Sequence, residues 1–133
     1  MDLNQLAHLI GRLLFSFYFI LAGVRHLTQT KGIAAYYKAV SNGPMPEATV
    51  IVTGLMLLAG GFSMVLGFHP RIGAAVLVAF LIPVAIVMHP FWKETDMMAR
   101  GNQDAQFWKN ITLAGAAIFI GGNPHWPWPM SIG

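Results

Sequence analysis

Arg12 is the charged residue that its surroundings accommodate least easily. It is followed directly by L-L-F-S-F-Y-F-I-L-A-G, an uncharged run of apolar and small residues. A guanidinium inside such a segment either extends to a membrane interface and pairs with a phosphate or carbonyl, or lines a polar pocket for an anionic or quinone-like ligand. In both interpretations the charge of Arg12 is kept away from hydrocarbon.

One face of the segment around Arg12 combines polar and small residues. At helical spacing this stripe contains His8, Arg12, Ser16 (or Phe15), Phe19, Gly23 and His26. Because the stripe is polar at its ends and small in its middle, we expect it to face other helices rather than lipid.

Two histidines follow apolar runs, His26 after the first and His89 after the third. At one membrane face they could ligate a b-type haem, hydrogen-bond to loop or headgroup groups, or contact a redox ligand and exchange protons near neutral pH. Pro90 ends the helix before it, while Phe91 and Trp92 suit a membrane interface. We expect a loop carbonyl to be the partner of His89.

The acidic residues Glu94, Asp96 and Asp104 are grouped in one stretch, but their spacing matches no metal-ligand motif. The chain has no cysteine, which excludes disulfides, thiol catalysis and cysteine-ligated clusters within it. It also lacks a nucleotide-binding glycine loop and a nucleophile elbow. We therefore predict no metal site and no catalytic residue.

The composition identifies the class of protein that must position these side chains. Of the 133 residues, 56% are hydrophobic and only 10% are charged, whereas a soluble domain carries about 25% charged residues. So few charges cannot cover a soluble surface, and the chain is predicted to be an integral membrane protein. The net charge of +3 does not indicate a nucleic-acid binder, because the basic residues are scattered singly.

Four apolar segments are candidate membrane spans: Leu6–Leu27, Ala48–Phe68, Arg71–His89 and Phe107–Gly121. A helix needs about 20 residues to cross a core of about 30 Å, and the fourth segment covers only about 21 Å. The predicted fold is all-α: one transmembrane domain over residues 1–133, forming an antiparallel up-down-up-down four-helix bundle. Pro83 should kink the third helix, and its small-residue row with Ala75 and Ala79 should contact another helix.

The basic residues predict the orientation of the chain. Six of them lie in or beside the loops 28–47 and 90–106, namely Arg25, Lys31, Lys38, Lys93, Arg100 and Lys109. Arg12 and Arg71 are the two on the other side. The positive-inside rule then places both termini in the periplasm or lumen.

Two stretches resemble the DoxX family of small four-helix membrane proteins. The early one is I-G-R-L-L-F-S-F-Y-F-I-L-A-G-V-R-H-L, and the late one is H-P-F-W followed by acidic residues and then Q-F-W-K-N-I-T-L-A-G. Ser16 replaces a glycine common in the family, and Arg25-His26 stands where a single lysine is usual. The resemblance implies a bacterial inner-membrane subunit in a quinone- or redox-linked context, without turnover by the chain alone.

Two functions follow as hypotheses. In the first, a quinone binds between the kinked third helix and the polar face of the first. Arg12 would hold a carbonyl or anion, His26 and His89 would stand at the pocket mouth, and Phe91 and Trp92 would cover the ring. In the second, the chain is a non-catalytic accessory subunit that packs against a larger respiratory or photosynthetic complex.

Overall fold

The computed structural model describes residues 1–133 and is entirely helical, as predicted, with no strands. It contains five α-helices rather than the expected four, together with one short 3₁₀ helix. Their bounds are α1 Leu3–Thr28, α2 Thr30–Ser41, α3 Pro46–Leu66, α4 Pro70–Met88, the 3₁₀ helix Phe91–Lys93, and α5 Met97–Gly122.

Three of the helices, α1, α3 and α4, are long and apolar enough to cross a membrane, and they correspond to the first three predicted spans. Their outer surfaces are apolar as well. Large side chains such as Leu14, Phe17 and Ile72 are more than half exposed, which a lipid bilayer accommodates without cost because its hydrocarbon is equally apolar. The environment of the chain is therefore a lipid bilayer.

Glycines allow close approach between neighbouring helices. Gly23 of α1 lies against Gly54 of α3, where an added β-carbon on Gly23 would be 2.9 Å from the Gly54 carbonyl oxygen. Gly60 of α3 similarly lies against Leu77 and Gly73 of α4. Farther along, α4 packs on α5.

A single apolar core is shared by α1, α3, α4 and α5. Its buried members are Phe19, Leu57, Met64, Ala74, Leu77, Leu81, Ala114 and Ala117. The row of Ala75, Ala79 and Pro83 is exposed instead, so the prediction that this row contacts another helix is wrong. Helix α4 continues through Pro83, and the kink stays a prediction.

Helix α2 lies in the segment 28–47, for which a loop was predicted. Its apolar positions Ile33, Tyr37 and Val40 recur at helical spacing, and α2 packs against α1, α3 and α4. It ends at Ser41 and is capped by Asn42, whose left-handed backbone (φ 51°) closes the last turn.

Helix α5 begins ten residues before the predicted fourth span. The Asp96 side chain accepts a hydrogen bond from the Ala99 amide at 2.9 Å, so Asp96 is the N-cap. Half of the first ten residues of α5, from Met97 to Gln106, are polar or charged. For that reason α5 is not among the three helices apolar enough to span.

The C-terminal segment, residues 123–133, folds back over one end of the helices. The Ile132 amide donates a hydrogen bond to the Leu66 carbonyl oxygen at 3.1 Å. Trp126 and Trp128 lie edge-on to the His8 ring, with centroids 5.0 and 4.9 Å away. This segment therefore covers the start of α1 and the end of α3.

Candidate functional site

A cavity of about 370 Å³ lies where the end of α1, helix α2, the start of α3 and the end of α4 meet. Its size falls within the range of roughly 300–1,000 Å³ that is typical of small-molecule sites. The polar residues lining it are His26, Tyr36, Tyr37, Thr49, Thr53 and His89. The remaining wall includes Met56, Phe80, Pro83, Val84 and Val87. We call it the histidine cavity.

His26 is held in this cavity by α3. Its Nδ1 lies 3.1 Å from the Thr53 hydroxyl and 3.3 Å from the Val50 carbonyl oxygen. The Thr53 hydroxyl donates its own hydrogen to the backbone of α3, 2.8 Å from the Thr49 carbonyl oxygen. Both neighbours of Nδ1 are therefore acceptors, so Nδ1 carries the hydrogen and Nε2 of the neutral ring is an acceptor with no protein partner.

His89 is held in the same tautomer by a different element. Its Nδ1 lies 2.7 Å from the side-chain oxygen Oε1 of Gln103 on α5. The expected loop carbonyl is therefore not the partner of His89. Pro90 moves His89 out of helical geometry, as predicted, with φ −128° and ψ 52°, and this turns the ring toward α5. In the tautomer whose Nδ1 donates to this oxygen, Nε2 is an acceptor, as in His26.

One side of the histidine cavity is open toward the outer surface of the helices. Ala79, Pro83 and Val87 line the cavity and are exposed. Helix α4 is a candidate membrane span, so this opening lies on an apolar helix surface. A ligand with a polar ring and an apolar chain could enter along this side.

Phe91 and Trp92 do not line the cavity. They form an aromatic cluster with Phe107 of α5, in which the three pairs of ring centroids are 5.2, 5.3 and 5.8 Å apart. Arg100 lies over the Phe91 ring at 6.0 Å. Since Trp92 is 47% exposed, this cluster is suited to the membrane interface rather than to covering a ring in the cavity.

Arg12 lies at the other end of α1, fourteen residues from His26 and thus about 21 Å away. The stripe predicted to face the helices does so: Arg12, Ser16, Phe19 and Gly23 are the buried residues of α1. The guanidinium lies over the Trp128 ring, 5.5 Å from its centroid. The structure therefore brings together His26 and His89, with Pro83, but not Arg12.

The sequence did not point to the polar cavity residues Tyr36, Tyr37, Thr49 and Thr53, nor to Gln103, the partner of His89. Tyr36 and Tyr37 could have been found from the helical spacing of Ile33, Tyr37 and Val40, because that pattern predicts an amphipathic helix beside the membrane. No sequence signal pairs Thr53 with His26 or Gln103 with His89, since each pair joins different helices.

A family model, DoxX, matches residues 7–90 of the chain. The chain belongs to the DoxX family. The matched residues include every residue that lines the histidine cavity, whereas α5 and the C-terminal segment lie outside them.

Two DoxX relatives come from Escherichia coli (strain K12). Inner membrane protein YphA is 29% identical over 112 residues, which are 84% of this chain and 79% of YphA. Inner membrane protein YqjF is 25% identical over 118 residues, which are 89% of this chain and 84% of YqjF. Both names state a membrane location and no ligand. No solved structure matches the chain.

Proposed function

We propose that this DoxX protein is a redox-linked inner-membrane subunit that binds a quinone-class ring in the histidine cavity. The observation that carries the proposal is the convergence of His26 and His89 on one apolar cavity. Arg12, Phe91 and Trp92, which the first hypothesis had included, are left out of this site because they lie elsewhere.

The chemistry of the two histidines favours the reduced, quinol form of the ring. A quinol has two hydroxyl donors, and Nε2 of each histidine is an acceptor without a protein partner. A quinone has carbonyl acceptors instead, which the neutral histidines in this tautomer cannot donate to. Phe80 and Met56 supply apolar walls for the ring, and the opening beside Pro83 lets an isoprenoid chain reach lipid.

The redox step requires a partner. When a quinol is oxidised to a quinone it releases two protons and two electrons. His26 and His89 would accept the protons at Nε2, and a redox centre in another subunit would accept the electrons. The chain itself supplies binding and proton acceptance, which agrees with a subunit that does not turn over alone.

The proposed architecture completes the predicted fold. The apolar part of α5 crosses the bilayer as a short fourth span, so that α1, α3, α4 and α5 form an antiparallel bundle with α2 beside it. Pro83 bends α4 next to the cavity. The positive-inside rule then puts the histidine cavity on the cytoplasmic side and both termini in the periplasm.

The proposal predicts that the protein purified in mild detergent retains quinone or quinol, detected by solvent extraction and mass spectrometry. In reconstituted membranes, His26→Ala or His89→Ala should lower the affinity for a ubiquinol analogue about tenfold. Each change removes one hydrogen-bond acceptor, which contributes about 1 kcal/mol, and also removes part of the cavity wall. His125→Ala is the matched control, since His125 is exposed at the other end of the molecule.

Two outcomes would contradict the proposal. One is equal quinol affinity in all three variants and the unchanged protein. The other is recovery of the chain in stoichiometric amounts with a larger complex and without quinone, which would favour the accessory-subunit function instead.

A further inference from the structure

Arg12 is buried without a counter-ion. Only 2% of the residue is exposed, and its Nε and Nη1 are buried with no hydrogen-bond partner. Because the guanidinium stays protonated in proteins, it carries its charge into this site. Removal of a charge from water without pairing costs several kcal/mol, so the site is incomplete as the protein alone forms it.

No acidic side chain is placed to neutralise this charge. Asp2 precedes Arg12 by ten residues, about 15 Å along the helix, and instead caps α1 through the Gln5 amide at 2.8 Å. The four other acidic residues belong to the start of α3 and the region where α5 begins, namely Glu47, Glu94, Asp96 and Asp104. All four are at the end of the molecule where His26 and His89 lie.

The surroundings of Arg12 leave its buried donors without a protein acceptor. Trp128 lies 5.5 Å from the guanidinium carbon and covers one face of the group, but an aromatic face does not accept the N–H bonds in the guanidinium plane. A cavity of about 620 Å³ lies beside Arg12 and is lined by Asn4, His8, Arg12 and Trp126, among others. His8 contributes a second buried nitrogen, Nε2, without a partner. We call this space the arginine cavity.

We propose that the arginine cavity binds a tetrahedral oxyanion of the phosphate class. A planar guanidinium can donate two parallel hydrogen bonds to two oxygens of such an anion. The Asn4 amide and the His8 ring supply further donors beside it. Trp126 and Trp128 close the site and suit the headgroup level of a bilayer. The site is independent of the histidine cavity, from which Arg12 is about 21 Å away along α1.

A phosphate group could come from an anionic phospholipid or from solution, and two measurements on the full chain distinguish these sources. In the first, equilibrium binding of radiolabelled inorganic phosphate is measured in nanodiscs of phosphatidylcholine alone. In the second, native mass spectrometry counts phosphatidylglycerol retained from nanodiscs that mix it with phosphatidylcholine. We expect about one anion per chain in at least one of these experiments.

Variants of Arg12 test whether this side chain binds the anion. Arg12→Gln should lower anion affinity at least tenfold. Arg12→Lys, which keeps the charge without the fork, should lower it by a few-fold. Arg71→Gln is the matched control, because Arg71 is an exposed arginine at the same end of the molecule, and it should bind as the unchanged protein does.

Binding of phosphatidylglycerol alone assigns the site to a lipid headgroup, and binding of inorganic phosphate alone assigns it to a free anion. The proposal is overturned if the unchanged protein binds neither, a result that does not depend on whether the Arg12 variants fold. It is equally overturned if Arg12→Gln binds as well as the unchanged protein, or if Arg71→Gln loses as much binding as Arg12→Gln.

Discussion

His89 depends on one side chain for its tautomer, whereas His26 has two acceptors at Nδ1. Gln103 Oε1 is the single partner of His89 Nδ1, at 2.7 Å, while Val50 and Thr53 both face His26 Nδ1. Loss of one acceptor should therefore change the tautomer of His89 more than that of His26. Gln103 is a positioning residue in this interpretation, since it acts on a ligand only through His89.

Gln103→Leu should release the proton of His89 from Nδ1. Because one hydrogen bond contributes about 0.5–1.5 kcal/mol, we expect quinol affinity to fall about three- to tenfold. The ¹⁵N chemical shifts of the His89 ring should change from one tautomer to a mixture, which a purely structural role of Gln103 would not cause.

Gln106→Leu is the control for this change. Gln106 is exposed on the same helix and accepts only from Lys109 Nζ, at 2.5 Å. An unchanged ¹⁵N spectrum of His89 in Gln103→Leu would show that the amide does not fix the ring.

At the scale of the helices, the close contact between α1 and α3 depends on glycine, which has no side chain, at positions 23 and 54. A β-carbon on Gly54 would lie 2.8 Å from the β-carbon of His26, closer than such atoms pack. The helix contact and the histidine cavity are thus coupled, because the residue that would be displaced is itself a cavity residue.

Gly54→Ala should separate α1 from α3 and destabilise the protein by about 1–3 kcal/mol, the usual cost of overpacking. We also expect weaker quinol binding, since His26 must shift. Thermal unfolding in detergent and quinol titration measure the two effects.

Gly115→Ala is the matched control in α5, where an added β-carbon meets nothing within 4 Å. It should stabilise the protein by up to about 1 kcal/mol, because alanine is the better helix former. Equal loss of stability in the two variants would contradict the role assigned to Gly54.

The three apolar spans were predictable from sequence because lipid demands a continuous apolar run, and α1, α3 and α4 begin and end within three residues of the predicted bounds. Helix α2 and the first ten residues of α5 contain no such run, so hydropathy does not mark them, and only the helical spacing of Ile33, Tyr37 and Val40 indicates α2. The apolar stretch that begins at Phe107 marks the start of the apolar part of α5, whereas the helix itself begins at Met97.

The candidate site was only partly predictable. His26 and His89 could be assigned to one end because they follow the first and third apolar runs, which point the same way in an up-down-up-down bundle. Arg12 could have been excluded from their site by helix geometry, because fourteen residues separate it from His26. The partners Thr53 and Gln103 could not be found, since the register between helices is set by packing.

At the scale of the whole molecule, two features decide on which side of the membrane each terminus lies. They are the distribution of Lys and Arg between the loops and whether α5 crosses the bilayer. The absence of cysteine in the chain makes single-cysteine labelling possible without removing native thiols. If α5 crosses and the positive-inside rule holds, Gly133→Cys should react with a membrane-impermeant maleimide from the periplasmic side. Lys31→Cys and Thr95→Cys should react only from the cytoplasmic side.

The labelling pattern separates two ways in which this topology could be wrong. Reaction of Gly133→Cys and Thr95→Cys from the same side would show that α5 does not cross. Reversal of all three positions would show that α5 crosses but that the orientation is inverted.

The contact between Trp128 and Arg12 has a consequence for biosynthesis. Ribosomes make the two residues roughly 6–23 s apart at about 5–20 residues per second, so α1 enters the bilayer long before its arginine is covered. During that interval the nascent chain holds a charged residue that other membrane components must accommodate. Folding around Arg12 is then completed only when the segment that carries Trp128 arrives, and translation products that stop before Trp128 should be the ones that quality-control proteases remove first.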